Sequence, residues 1–323
     1  MEKKFVSVVI YLHNDEKSIV PFLDKIFDVV FNSFEQYELV CVDDGCTDGT
    51  VPAMKEYMDK REKQGVLSIV HMGFHQGIEA AMNAGRDASI GDFVYEFDNV
   101  IGDFDHELIM KLYETMLTGY DIVAASPNGK TSFTSGLFYK VFNSNSRAGI
   151  KLGTESFRIL SRRAINRIKS MGAYIPYRKA VYASCGLNTT VVKYESTLSL
   201  KERKQLKKNA ANRYERGSVA LDSFIYFTNV TEKLSAAISI LFLLLFLGIG
   251  IYSIGDYFVN GTAIEGWTSM VCFMALGFCG VFIVFTIILK YLSVLLDLVF
   301  KKQKYLVADI EKIVNCKGKR NQL

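Results

Sequence analysis

The chain has 323 residues, half of them hydrophobic and 22% charged, and a mean hydropathy of +0.16, which argues against an ordinary soluble globule. The surplus is local, since residues 234–289 carry two formally charged side chains, Asp256 and Glu265. The net charge of +4 is equally uneven: residues 1–192 hold 21 Lys/Arg against 24 Asp/Glu, whereas residues 193–216 and 290–323 each hold 8 basic and 3 acidic residues, so the basic clusters flank an apolar window and point to a membrane rather than to nucleic acid.

Residues 6–12 (VSVVIYL) form a continuous, β-branched run, the pattern of a buried parallel strand. Residues 15–31 place Ile19, Phe22, Leu23, Ile26 and Phe27 at helical spacing. A second strand, 38–42, runs directly into Asp43-Asp44-Gly45-Cys46-Thr47-Asp48-Gly49-Thr50. Helix 51–64, strand 67–71, helix 77–89 and strand 92–97 come next. This alternation predicts an α/β domain, an open and mostly parallel sheet with helices on both faces. Ligands of such sheets bind beyond the carboxyl ends of the strands.

Carboxylates gather at three of those ends: Asp15 and Glu16 after the first strand, Asp43 and Asp44 after the second, Glu96 and Asp98 at the fourth. Such a cluster repels itself unless a cation or a donor-rich ligand lies within it. Asp48 has a second reading, because Asp before Gly-Thr also closes a turn and caps a helix. Neither G-x-G-x-x-G nor G-x-x-x-x-G-K-[ST] occurs, which removes the phosphate devices of dinucleotide enzymes and P-loop NTPases. Phosphate would then be held through a divalent metal, as Mg²⁺ binds through one or two carboxylates plus substrate phosphates.

Two later stretches, about 234–258 and 267–289, meet the roughly 20-residue requirement for a membrane-spanning helix. The linker between them has no Lys or Arg while both outer flanks are basic, so the positive-inside rule places both termini and the α/β domain in the cytosol. Residues 219–230 and 291–300 look amphipathic, and either lie in the membrane interface or extend helices packed on the domain. The six cysteines include no C-x-x-C and the N-terminus has no signal-peptide pattern, which predicts a reduced compartment without structural zinc. The expected organisation is an α/β domain over 1–216, a juxtamembrane amphipathic helix over 217–233, a transmembrane hairpin over 234–289, and a basic cytosolic tail with a second juxtamembrane helix over 290–323.

With these residues in place, the sequence resembles glycosyltransferase family two, whose nucleotide-sugar domain has the GT-A fold. SVVIYLHNDEKSI is similar to the family's opening SVVIPVYNEEESI, VDDGCTDGT to its VDDGSTDGT, and AAMNAGRDASIGDFV to the region before its metal motif. Phe157-Arg158-Ile159-Leu160-Ser161-Arg162 resembles the F-R-L-x-x-R stretch of the branch that glycosylates polyprenyl phosphates, which also carries two C-terminal membrane helices. The resemblance implies that Asp15, Asp43 and Asp44 surround the base and ribose of a nucleotide diphosphate sugar. It implies that Glu96 and Asp98 stand in for the D-x-D pair that holds Mg²⁺ or Mn²⁺ against the pyrophosphate. The chain departs from the family at Tyr11 and His13, where proline and tyrosine are usual, and at Glu96, where the first aspartate stands. Asn99-Val100 replaces Leu-Gln, and Ser156 replaces the aspartate before F-R.

The reaction so implied moves a sugar from a UDP-, GDP- or dTDP-sugar to a polyprenyl phosphate of undecaprenyl or dolichyl type, with inversion. Asp98 and Arg158 are the expected catalytic residues. Arg158 would grip the acceptor phosphate, with Arg162, Arg178 and Arg213 as further candidates, because guanidinium matches phosphate bidentately. Two other readings stay open: transfer to a sugar hydroxyl in surface polysaccharide synthesis, with Glu155 as the base, and a catalytically silent partner subunit that binds nucleotide sugar. The expected location is the bacterial inner membrane, and the resemblance suggests a homo-oligomer formed through membrane-proximal helices.

Overall fold

Strand β1 (Glu2–Leu12) enters the interior at Val6 and stays buried to Leu12, as its unbroken apolar run requires. The computed structural model of the chain describes residues 1–61, 65–128, 153–171, 177–198, 266–300 and 305–315, with scattered residues between 136 and 144 and between 233 and 251. After β1 come α1 (Glu16–Ser33), β2 (Phe34–Asp43), α2 (Thr50–Lys60), β3 (Gly65–Met72), α3 (Ile78–Ala88), β4 (Phe93–Phe97) and α4 (Glu107–Leu117). They are succeeded by β5 (Ile122–Pro127), β6 (Phe157–Ser161), α5 (Arg162–Met171), α6 (Arg178–Ser184) and β7 (Thr189–Tyr194), and later by α7 (Trp267–Phe300) and β8 (Val307–Asn315).

The eight strands form one sheet in the order β7-β5-β6-β4-β1-β2-β3-β8. β1 pairs in parallel with β2 and β4, β2 with β3, and β5 with β7. β6 lies antiparallel to both β4 and β5, and β8 antiparallel to β3. The sheet is therefore mixed. Its parallel centre is the strand and helix alternation of the first hundred residues, and the reversals come from β6 and β8.

Alternate side chains divide the core in two. Val6, Val8, Ile10 and Leu12, with Tyr95 and Phe97, pack under α1, α2 and α4. Val9, Tyr11 and Val94 pack under α3, α5 and α6. Each fully buried Val, Leu, Ile or Phe contributes about 1.5–3 kcal/mol. Gly85 lets α3 lie close to the sheet, since a methyl group there would come within 2.5 Å of both Val42 Cγ2 and Val9 Cγ1. Glu96 and Asp98 continue the period-two series of Val94, so they fall on the face covered by α3 and α6.

The C-terminal third departs from expectation. No separate helix begins at 291, because α7 runs unbroken for 34 residues. Nor is the segment beyond α7 a free tail: β8 adds an edge strand to the sheet, with His71 opposite Asp309 and Gly65 opposite Asn315. Residues 199–232, which include Arg213 and nearly all of the expected juxtamembrane helix, lie outside the described residues. The scattered described positions from 233 to 251 are helical, and Phe242 fills the space against Gly280 of α7. Several side chains of α7 and much of the first apolar stretch lie outside the described set, and among the described residues no helix is long and apolar enough to cross a membrane. The described part of α7 still leaves large apolar groups open, with Phe278, Val281, Phe282 and Phe285 at 58%, 64%, 66% and 54% exposure.

Candidate active site

At the carboxyl ends of β1, β2 and β3 the paired aspartates turn inward. Asp44 is fully buried. Its Oδ1 accepts from Gln76 N at 2.7 Å, its Oδ2 accepts from Gly77 N at 2.9 Å and from the Tyr11 hydroxyl at 3.1 Å, and His75 Nδ1 lies 3.0 Å away. A carboxylate so engaged fastens loop 73–77 and the start of α3, and keeps little capacity for a ligand. Asp43 accepts from Cys46 N at 2.8 Å and lies 2.8 Å from His71 Nδ1, while His71 Nε2 is 3.6 Å from Glu311 of β8. Gly45 makes the turn after this pair at φ +69°, where a Cβ would also stand 3.0 Å from His75 N.

Beside Asp44 the His13 and His75 rings lie with centroids 4.1 Å apart, and His13 Nδ1 is 2.8 Å from the Asp44 carbonyl oxygen. Asp15 accepts from His13 N at 3.0 Å, and its own N–H donates to Thr50 Oγ1 at 2.8 Å. Burial pushes the Asp15 carboxyl up from its usual range. Asp48 takes the capping role of its two readings, accepting from Thr50 N at 3.0 Å and from Glu16 N at 3.2 Å, at the starts of α2 and α1.

On β4 the carboxylates meet cations. The antiparallel register sets Arg158 of β6 opposite Glu96, and α6 presents Arg178 and Tyr182, one helical turn apart, to the same place. Glu96 is fully buried: its Oε2 accepts from Arg158 Nη1 at 3.1 Å and Arg178 Nη1 at 2.9 Å, and its Oε1 from the Tyr182 hydroxyl at 2.8 Å. Asp98 Oδ2 accepts from Arg158 Nη2 at 3.0 Å and Oδ1 from Arg178 Nη2 at 2.9 Å. Each guanidinium thus bridges both carboxylates, and Asp98 keeps 14% of its side chain exposed.

A second tier surrounds these groups. Glu79 accepts from Arg178 Nε at 2.9 Å, Glu155 lies 3.4 Å from Arg158 Nε, and Arg86 donates to the Tyr182 hydroxyl at 2.8 Å. Burial alone would raise the Asp98 carboxyl, but Arg158 and Arg178 outweigh it and hold the group far below the usual carboxylate range. Burial and the Glu96 charge push the Tyr182 phenol up, so it remains a proton donor to Glu96.

Of the arginines expected around an acceptor phosphate, Arg158 and Arg178 come together here, at 0% and 1% exposure, with their N–H groups directed at carboxylates. Arg162 is not brought to this place. Its Nε donates to the Gly91 carbonyl at 2.9 Å, at the amino end of β4, a strand length of about 16 Å from Asp98. Glu79, Arg86, Tyr182, His71, His75 and Gln76 escaped the sequence reading. Tyr182 carried a signal in its spacing of four from Arg178, and Glu79 in opening the helix after a strand end; the others are revealed only by tertiary contact.

These elements make a mixed α/β domain of GT-A type, with carboxylates, imidazoles and buried arginines gathered at the strand ends. Residues 7–168 match the profile of glycosyl transferase family 2, and the chain belongs to that family. An uncharacterized glycosyltransferase of Synechocystis sp. is 28% identical over 313 residues, spanning 94% of this chain and 95% of its own length. The bactoprenol glucosyl transferase of Shigella phage SfX is 25% identical over 273 residues, 82% of this chain and 86% of its own. Among solved structures, glucosyl-3-phosphoglycerate synthase from Mycobacterium tuberculosis, in complex with Mn²⁺, UDP-glucose and phosphoglyceric acid, is similar with a TM-score of 0.47 and 14% identity, over 69% of this chain and 78% of that one.

The side chains present do not fit a divalent metal shared by Glu96 and Asp98. Among the described residues no group of three or more His, Cys, Asp or Glu side chains converges as a ligand set. Glu96 has no exposed surface, and its oxygens are already occupied by two guanidinium groups and a phenol. A cation could reach it only by displacing buried arginines.

Proposed function

We propose that this protein is an inverting glycosyltransferase that moves a sugar from a nucleotide diphosphate sugar to a polyprenyl phosphate, at the cytosolic face of the bacterial inner membrane. The observation that carries this reading is the short tie between the apolar helix and the loop at the strand ends. The chain leaves α7 at Phe300, and at Leu306 it is pinned to loop 73–77. The Leu306 carbonyl accepts from Gly73 N at 3.0 Å and from Gln76 Nε2 at 2.7 Å, and its N–H donates to Gln76 Oε1 at 2.9 Å. Six residues reach at most about 20 Å, so the end of an apolar helix lies close to loop 73–77 at the strand ends. An acceptor whose hydrocarbon stays in lipid and whose phosphate emerges at the surface suits that arrangement. The names of relatives such as the bactoprenol glucosyl transferase of Shigella phage SfX support the same class of acceptor.

A phosphate monoester is anionic near neutral pH, so its oxygen attacks the anomeric carbon without a general base, and in-line attack inverts that centre. The protein's tasks are then to seat the donor at the strand ends and to align the two reacting groups, which can supply a large share of the rate. Loop 73–77, held by Asp44, and the His13–His75 pair border the place where the nucleotide would lie. Transfer to a sugar hydroxyl would need a base, and its candidate Glu155 is engaged by Arg158 at 3.4 Å, which disfavours that role. The test is a donor screen with purified full-length protein and a polyprenyl phosphate, reading release of the nucleoside diphosphate. An acid-labile glycolipid product supports the proposal, and sugar found only on a glycan chain would overturn it.

A further inference from the structure

We infer that Glu96 is a positioning residue rather than a metal ligand: it locks Arg158 and Arg178 so that both hold Asp98 as an acceptor for a donor hydroxyl, and donor binding needs no cation bridging Glu96 and Asp98. This rests on the glycosyltransferase reading above, because the hydroxyl in question belongs to the ribose or the sugar of a nucleotide diphosphate sugar.

The first support is the count of lone pairs. A carboxylate offers about four acceptor sites. Glu96 directs Oε2 at both Arg158 Nη1 and Arg178 Nη1 and shares the Tyr182 hydroxyl between its two oxygens, at 2.8 Å and 2.9 Å, with Arg86 Nη1 at 3.9 Å from Oε1. Asp98 spends one contact of each oxygen on a guanidinium, and 14% of its side chain is exposed. Of the two carboxylates, Asp98 therefore is the one that keeps acceptor capacity together with exposed surface, and that capacity suits hydroxyl donors.

The second support is charge. Glu79, Glu96, Asp98 and Glu155 face Arg86, Arg158 and Arg178, with Lys179 next to them through its bond to the Glu155 carbonyl at 3.1 Å. Four acids meet four bases, so the cluster is already balanced. A divalent ion at the pair would add two positive charges beside three buried guanidinium groups. The departure of the sequence from its family fits as well: the additional methylene of Glu96 over aspartate lengthens the arm that reaches Tyr182 and the two arginines. A metal ligand would gain nothing from that length.

The experiment uses the full-length protein in detergent and has two arms. In the first, UDP-glucose and a panel of other nucleotide diphosphate sugars are titrated by calorimetry in EDTA and in Mn²⁺, with wild type, Glu96→Gln and Glu96→Asp. The expected result is donor affinity in EDTA within about threefold of that in Mn²⁺, and a loss of more than about tenfold in both variants irrespective of metal. In the second arm thermal unfolding is followed without donor. Neither EDTA nor Mn²⁺ should shift the wild-type midpoint, and Glu96→Gln should lower it by more than about 5 °C, because it leaves buried guanidinium charge uncompensated. Donor binding that vanishes in EDTA, returns with Mn²⁺ and survives in Glu96→Asp would overturn the inference while leaving the glycosyltransferase reading intact. Should no nucleotide sugar bind in either condition, the glycosyltransferase reading fails and donor recognition by Asp98 falls with it. The lock itself is then decided by the thermal arm, where an unchanged or raised Glu96→Gln midpoint refutes it.

Discussion

Asp98 is ionised because two neighbours hold it so, and that gives its contribution to stability a sign and a window. Its folded pKa lies well below the unfolded value of about 3.9, so the stabilisation is present in full above that value and is lost as pH falls through the folded one. Asp98→Asn should cost about 3 kcal/mol near pH 7, since it strips half the compensation from two buried guanidinium groups. The gap between variant and wild type should shrink below about pH 4. Unfolding curves from pH 2 to 7 check this, and a gap that stays constant down to pH 2 would contradict it. At this scale the acids were legible and their partners were not. Carboxylates at strand ends advertise themselves in a sequence, whereas the pairing of Glu96 with Arg158 depends on the register of two strands 62 residues apart. Arg158 and Arg178 could be picked out as important, but the phosphate assigned to them from chemistry alone is, in the fold, a place taken by Glu96 and Asp98.

Among the elements, the strands that could be read were the four that alternate with helices, whereas β5 and β6, though as deeply buried, escaped because they are short and lie outside that alternation. β1 to β4 are unbroken or alternating apolar runs, and each stands where the pattern put it. β7 escaped because it lies half exposed at the sheet edge, and β8 because Asp309, Glu311 and Lys312 break any apolar run. Its place is set by tertiary contacts such as Lys55–Glu311 and the Gln76 side chain, which bonds Leu306 on both its backbone groups. Gln76→Ala should therefore loosen the tie by about 1–3 kcal/mol and speed amide exchange over residues 306–311 while leaving β1 protected; equal protection in both proteins would show that the bridge contributes nothing. Gly85 tests the seating of α3. Alanine there gains about 1 kcal/mol of helix propensity, yet its methyl group would press into Val9 and Val42. Crowding of that kind costs about 1–3 kcal/mol, so the midpoint of Gly85→Ala should fall, and a rise would mean that the helix can back away freely.

At the scale of the whole molecule, the apolar surplus of the composition resolves into α7 and the stretch before it. Phe278, Val281, Phe282 and Phe285 stay more than half exposed among the described residues, and the proposed cover is lipid. A lysine in place of Phe282 should disfavour insertion by about 2.5–3.5 kcal/mol and move protein from the membrane fraction to the soluble or aggregated one. Unchanged fractionation would argue that this face packs on protein instead. The apolar stretches were legible from hydropathy, but the return of the chain into the sheet was not, because nothing in a charged nine-residue segment announces which edge it will join.

That return has a mechanical consequence. A catalytic domain hung from a membrane by one linker can tumble about every axis, and its mouth spends most of its time pointing away from the bilayer. Here the chain comes back to the sheet directly after Leu306, so in the proposed membrane-bound state the domain would be held at two points, like a door on a pair of hinges. In that proposed state one swing would be left to it, and the strap at Gly73 and Gln76 would put one of those hinges beside the strand ends.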